Sequence, residues 1–411
     1  MLKPGDLVYM SAAPRVFSEE TPPSAGGIQK HGRQALGRQA VEGLLKPVVL
    51  SYLRSVEELF AGADAGAGVA SRASDATQHS LGQLLEQVRC SEEFPTDECV
   101  HSALDQKLMA KTNQKHAQQQ ASIIGHLERR GLLDPKYAFV EFGAGKGELS
   151  VYVHAAISAK NADGAPESCF SESCFYLVDR KIFRQKFKIG QQGKCGDRKT
   201  RDGQGVRHRF ERISIDIRDL DLASLDGLRI IDPQTGNAAL RPIVAYSKHL
   251  CGGATDLTLK CLERYQQSGG SIAGIAIALC CHHACRYSMY VDHEYLSTAI
   301  PSFSAASGQW SGEQHDSFKS LVAMTSWAID SPSSSSPDDA SETGPEQQAH
   351  YSGLSYAQRR RAGHAVKRFL DIGRLWYVRR RLGMDDAELV YYTSHMASPE
   401  NLALLATKME V

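Results

Sequence analysis

The sequence predicts an α/β protein with a mostly parallel, doubly wound sheet, preceded by a helical N-terminal region. Three observations carry that expectation. From Tyr137 onward, short apolar runs alternate with helical patterns; a glycine-rich loop, Gly143-Ala-Gly145-Lys-Gly147, follows the first run; and residues before it show apolar spacing of three and four.

Taken in order, the first thirty residues are rich in Pro, Ser and Gly without a period and predict a flexible lead-in. Residues 40–60 carry helical spacing interrupted near Pro47, and the Gly/Ala spacer AGADAGAGVA then breaks it. A further helix is expected through HAQQQASIIGHLERRGLL, with Ile123, Ile124 and Leu127 on one face and Gly131 at its end. Residues 1–116 are thus read as the helical N-terminal region and 117–411 as the main domain. Five strands are expected there, at 138–142, 174–178, 210–215, 243–246 and 273–279, with helices at 147–158 and 254–266. The Ser-, Pro- and Asp-rich run at about 331–350 has the composition of a disordered insertion. Beyond it, Tyr356 to Leu382 reads as one long basic helix, and Glu388 to Thr393 as a strand for the sheet edge.

A chain of 411 residues, 42% hydrophobic and 23% charged, is long enough to bury a sizeable core. Its longest strongly apolar run, Ile272 to Cys281, is about half of what spans a bilayer, and the start MLKPGDLVYM lacks the basic-then-apolar order of a signal peptide. No membrane association and a cytoplasmic or nuclear location are expected. Ten cysteines without regular spacing read as reduced thiols. The formal net charge is zero, but its distribution is uneven. Between Arg180 and Arg212 twelve Lys/Arg face three acids, a local charge of +9, and between Arg359 and Arg381 nine face Asp371 alone, a local charge of +8. Two such segments suggest a localised surface for a polyanion, against the plainer reading of solvated helix faces.

The central motif is FVEFGAGKGELS. An apolar strand ends in Glu141, glycines at 143, 145 and 147 let the backbone turn tightly and approach a ligand, and the next helix offers free N–H groups, so a nucleotide-like ligand is implied. The spacing differs from the G-x-G-x-x-G of dinucleotide sites and resembles motif I of Rossmann-like S-adenosylmethionine methyltransferases. Asp179 ends the second strand, where a carboxylate can accept ribose hydroxyls; Asp216 ends the third, within reach of an adenine amine. For each acid the plainer alternative is a cap on the following helix.

Together FVEFGAGKG, ERISIDI, SKHLCGGATDL, IALCCHHAC, VKRFLDIGRLWYVRRRLG, ELVYYTS and SPENLALLA resemble the eukaryotic transfer-RNA 2′-O-methyltransferase family that modifies the fourth nucleotide of the acceptor stem, over residues 117–405. The resemblance implies a Rossmann-like S-adenosylmethionine methyltransferase fold, S-adenosylmethionine as cofactor, transfer RNA as partner, and methylation of a cytidine or adenosine ribose. Family members carry small zinc fingers, one of Cys-His-His-Cys type, ahead of this region. This chain has no cysteine before Cys90, and Cys90, Cys99 and His101 lack the usual fourth ligand, so no finger is read there.

Methylating a ribose hydroxyl requires that the 2′-oxygen be positioned and lose its proton. Candidates follow the fourth strand in Ser247-Lys-His-Leu-Cys-Gly-Gly253: Lys248 as base or as a cation steadying the alkoxide, His249 as proton acceptor. Asp256 reads as a first-turn acid favoured by the helix dipole, or as a residue orienting one of these. CCHHAC, after the fifth strand, reads first as a wall of the acceptor site, with His282 and His283 contacting the nucleotide or aiding proton transfer. Its alternatives are a buried turn, or a metal site on Cys281, His283 and Cys285. Adjacent Cys280 and Cys281 are expected to diverge, so such a site would need His249 or Cys251 from the neighbouring loop. Arg180, Lys181, Arg359, Arg360, Arg361, Lys367 and Arg368 are the expected phosphate contacts. A methyltransferase with a protein or small-molecule acceptor, and a non-catalytic RNA-binding module on the same fold, stand as alternatives.

Overall fold

Burial on both faces decides where the central strands lie. AFVEF at 138–142 and IAGIAIALC at 272–280 are buried at every position, the pattern of strands covered by helices on both sides. The computed structural model describes residues 114–162, 172–182, 198–201, 207–231, 236–299, 312–329 and 356–408. The expected N-terminal helices and spacer, the insertion at 331–350 and most of the basic loop before residue 207 lie outside the described residues.

In chain order, α1 (Gln114–Arg129) precedes β1 (Ala138–Phe142), then come α2 (Glu148–Ala162), β2 (Glu172–Asp179), β3 (Arg198–Arg201) and β4 (Arg207–Ser214). A small ribbon of β5 (Arg229–Ile231) and β6 (Ala238–Leu240) leads to β7 (Ile243–Cys251), α3 (Gly253–Gln267) and β8 (Ile272–Cys280). The described chain continues with α4 (His293–Ala299), α5 (Gly312–Ala323), α6 (Tyr356–Leu382), β9 (Glu388–Tyr391) and β10 (Leu402–Thr407).

The main sheet has eight strands in the order β3-β4-β2-β1-β7-β8-β10-β9. The five strands from β4 to β8 are parallel to their neighbours, whereas β3, β10 and β9 join antiparallel. All five expected parallel strands are present, and α6 has the expected bounds. β10 was not expected: its six apolar residues are too short a run to separate strand from buried helix by period. The chain leaves β1 in one direction through β2 and β4, then returns to place β7 on the other side of β1. The strand order therefore reverses between β1 and β7, the position at which open α/β sheets form a ligand crevice.

Alternation along β1 sorts the core. Ala138, Val140 and Phe142 join one apolar layer with residues of α3 and α6, while Phe139 joins the other with α1 and α2. Glu141 shares the parity of Phe139, which carries its carboxyl toward α2.

Candidate active site

A cavity of about 950 Å³ opens at the carboxyl ends of β1, β2, β4 and β7. Its floor is the glycine loop. Gly143, Gly145 and Gly147 have φ of 66°, 51° and 77°, a region that residues with a Cβ rarely adopt. A Cβ on Gly147 would lie 2.3 Å from Leu177 Cδ2, and one on Gly143 would lie 2.8 Å from the His249 carbonyl. The loop is held from both sides: the Gly145 N–H donates to Asp179 Oδ2 at 2.9 Å, and Arg212, on β4, donates to the Gly145 carbonyl at 2.7 Å. Arg212 lies within ERISIDI but was not singled out from sequence as a site residue.

Each of the three acids lines the cavity and also has a local duty. Glu141 accepts from the backbone N–H of Ser150 at 3.1 Å and from its hydroxyl, which also meets Tyr246 OH at 2.7 Å. Burial pushes the Glu141 carboxyl up to about 7, against the lowering effect of Ser150, Arg212 and Lys248. Asp179 also accepts from Lys181 N–H at 2.8 Å. Asp216 caps a 3-10 turn by accepting from Arg218 N–H at 3.0 Å, as the plainer reading of that residue anticipated.

On the opposite wall, Lys248, His249 and Cys251 lie on β7, which runs five residues beyond the expected strand. The pairing with β8 slips there: Ser247 faces Ile277 and Leu250 faces Leu279, so β7 carries one extra residue in a bulge. Bulges of this kind re-aim side chains. Lys248 Nζ lies 2.9 Å from His116 Nδ1, bringing a residue of α1 into the site. Sequence reading saw no chemistry before residue 117, because a histidine on a helix has no signal until the sheet places it. His249 Nδ1 lies 3.3 Å from Cys280 Sγ and 3.9 Å from Cys251 Sγ. Hydrogen bonding to Cys251 raises the His249 pKa against the opposing effect of burial.

Residues 118–407 match the family described as Methyltransferase TRM13. The chain belongs to that family. It is 36% identical over 308 residues to the "tRNA:m(4)X modification enzyme TRM13" of Eremothecium gossypii, covering 72% of this chain and 63% of that protein. It is 33% identical over 310 residues to the Scheffersomyces stipitis protein of the same name, covering 74% and 67%, and 30% identical over 401 residues to the homolog of Mus musculus, covering 81% and 74%. The chain thus spans about two thirds of the length of these fungal relatives. No solved structure matches it significantly. Among the described residues no helix is long and apolar enough to cross a membrane.

Within this TRM13 framework the remaining site candidates divide sharply. His282 does not reach the cavity. It is buried, with Nε2 2.6 Å from Asp371 Oδ1, and burial lowers its pKa. Asp371 is held below the usual carboxylate range by His282, Arg374 and Arg368, which together outweigh its burial, so the proton sits on Nε2 and is donated to Asp371. His283 is exposed and is not among the residues lining the cavity. The set Cys281, His283 and Cys285 does not converge, since Cys285 is buried against Arg374 Nη2 at 3.1 Å. Asp256 neither orients Lys248 nor acts only as a first-turn acid: it is fully buried and pairs with Arg374 at 2.8 Å.

The basic helix is a second correction. Lys367 is buried and bonded to Glu400, Arg368 reaches Asp371 and stacks on Tyr391, and Arg374 lies wholly inside between Asp256 and Asp371. Arg380 pairs with Asp292 and Glu294, and Arg381 with Glu263. Most of the +8 is therefore neutralised inside the fold; Arg360 is exposed, Arg359 partly so, and the Arg361 side chain lies outside the described ones. Arg180 and Lys181, by contrast, are exposed on the cavity rim, joined by Lys146, Arg218 and Arg286, which sequence reading had not selected.

Proposed function

We propose that this protein methylates the 2′-oxygen of a ribose in the acceptor stem of transfer RNA, at the fourth nucleotide, cytidine or adenosine, with S-adenosylmethionine as donor on a Rossmann-like methyltransferase fold. The observation that carries the reading is the cavity at the strand-order reversal: a glycine cradle lined by acids and Lys248, with a rim of cations. The relatives named as tRNA:m(4)X modification enzymes direct it to transfer RNA.

The cradle suits a nucleoside. Gly143 and Gly147 let the loop pack against the His249 carbonyl and Leu177, nothing lies within 4 Å of the Cβ position at Gly145, so a ligand can approach the backbone there, and Asp179 and Asp216 present carboxylates to its polar edges. When bound, S-adenosylmethionine supplies an electrophilic methyl group on a sulfonium. The chain's own part is to hold the 2′-oxygen and accept its proton. Lys248 holds that oxygen as a cation, and His116, in hydrogen-bond contact with Lys248, is the group placed to take the proton. His249 is engaged by two thiols and is left out of this step. Rim cations Lys146, Arg180, Lys181, Arg218 and Arg286 bind phosphates of the stem, whose backbone shape is read more than its base edges.

Mass spectrometry of transfer RNA treated with purified protein and S-adenosylmethionine tests the reading. A ribose methyl at the fourth nucleotide is expected, with Lys248→Ala slowed by roughly 10²-fold or more and His116→Ala displaced in its pH profile. Methylation of a base, or full activity in Lys248→Ala, overturns the proposal or the lysine's part in it.

A further inference from the structure

Beside Lys248 stands a group of side chains that methyl transfer does not use. His249 Nδ1, Cys251 Sγ and Cys280 Sγ lie within 4.8 Å of one another, the first two residues exposed and the third buried. Cys281, the next residue, interacts through its thiol with Cys251 and Cys280 but lies outside that 4.8 Å group. Two thiols and an imidazole thus converge from β7 and β8, with a third thiol beside them at the turn that follows.

Sequence logic argued against this convergence, because neighbours on an extended strand point to opposite faces. Two backbone devices overcome it. The bulge in β7 places His249 and Cys251 on the side of β8. Cys281 has φ 52° and ψ 44°, and no other described residue apart from glycine has a positive φ. A left-handed conformation at a residue with a Cβ costs about 1–2 kcal/mol and persists where the surroundings hold it, commonly at functional sites. Here it ends β8 and folds the second thiol back toward the first. Gly252 then locks the two segments together: its N–H donates to the Cys280 carbonyl at 3.1 Å, and a Cβ on it would lie 2.7 Å from the backbone of Ala284.

The distances match a metal's demands. A tetrahedral zinc with Zn–S of about 2.3 Å and Zn–N of about 2.0–2.1 Å separates its ligand atoms by about 3.6–3.8 Å. The observed separations from His249 Nδ1 are 3.3 and 3.9 Å. We propose that His249 Nδ1, Cys251 and Cys280 bind a zinc ion that staples the carboxyl ends of β7 and β8, with the neighbouring Cys281 closing the tetrahedron when the metal binds. Thiolate ligands select zinc over magnesium or calcium, and three thiolates with one imidazole give a closed site of structural type. The zinc would position Lys248, one residue from His249, without touching substrate.

The site is independent of the methyltransferase reading, and metal analysis of the full chain tests it. About one zinc per chain is expected, lost in the double variant Cys251→Ser with Cys280→Ser and retained in Cys261→Ala, whose thiol is buried elsewhere on α3. Should the double variant fail to fold, alkylation of the unaltered protein answers the same question. Exposed Cys251 is then expected to resist modification until a strong chelator is added, and to react after it. Absence of zinc, zinc unchanged in the double variant, or a Cys251 that is alkylated equally with and without chelator overturns the site. Cobalt substitution reads the fourth ligand: weakened thiolate-to-cobalt absorption in Cys281→Ser supports it, and an unchanged spectrum removes Cys281 from the set.

Discussion

Two basic segments of nearly equal net charge meet opposite fates in this protein. Five of the nine cations of α6 pair with acids of the fold, Glu400, Asp371, Asp256, Asp292, Glu294 and Glu263. The segment that starts at Arg180 leaves its first two cations exposed at the mouth of the cavity. Net charge counted along a sequence cannot distinguish them, because five of the six acids that neutralise α6 lie outside the helix. Charge that binds a polyanion is charge the fold has not already answered.

The contrast can be broken most severely at Arg374. Removing a member of a buried pair leaves an uncompensated charge and costs about 3–5 kcal/mol. Arg374→Met leaves Asp256 and Asp371 inside without their shared guanidinium, so a loss of stability in that range is expected in urea unfolding. A variant as stable as the parent would mean that α6 is held by its apolar face alone.

Glu141 sharpens the contrast from the acidic side. Asp371 is buried but kept ionised by cations around it, whereas burial of Glu141 raises it from 4.5 to about 7. The folded protein therefore holds a proton that the unfolded chain releases at lower pH. Glu141 supports the fold fully below about pH 4.5, and that contribution is lost as pH rises through about 7. The shift corresponds to about 3 kcal/mol. Glu141→Gln is expected to flatten the pH dependence of stability across this window, and an unchanged slope would place the titration elsewhere.

The smallest effects distinguish the two surfaces directly. Lys181→Ala and Arg286→Ala are each expected to lower the salt slope of transfer-RNA binding by about 1 and to weaken affinity alike for all sequences. Arg380→Ala, on the ion-paired helix, is expected to leave that slope unchanged. Equal slopes for all three would return α6 to the RNA surface.

Much of the fold was legible because it depends on local pattern. Fully apolar runs marked the buried parallel strands, the glycines marked a loop that only left-handed backbone can close, and the bounds of α6 could be read from its helical pattern. The acids at strand ends were also legible as positions, although Asp216 caps a turn and Glu141 serves Ser150 as well as facing the cavity. Contacts that join distant segments were not legible. His282 looked catalytic because it sits in a histidine-rich turn, but its partner Asp371 comes from α6, and that contact draws it into the core.

What the sequence determined by itself is the order of the five parallel strands and the long helix α6, the cradle that follows β1 and the residue types beside it, since each rests on period, glycine conformation and side-chain chemistry within a few residues. Tertiary structure alone decided which charges stay on the surface, that His116 joins Lys248, and that Cys280 and Cys281 share a side with His249 and Cys251. Those outcomes depend on a bulge, a left-handed residue, ion pairs such as Arg374–Asp256, 118 residues apart, and a hydrogen bond between Lys248 and His116, 132 residues apart. Such arrangements are set by how the layers close on one another, a quantity that no short stretch of chain encodes.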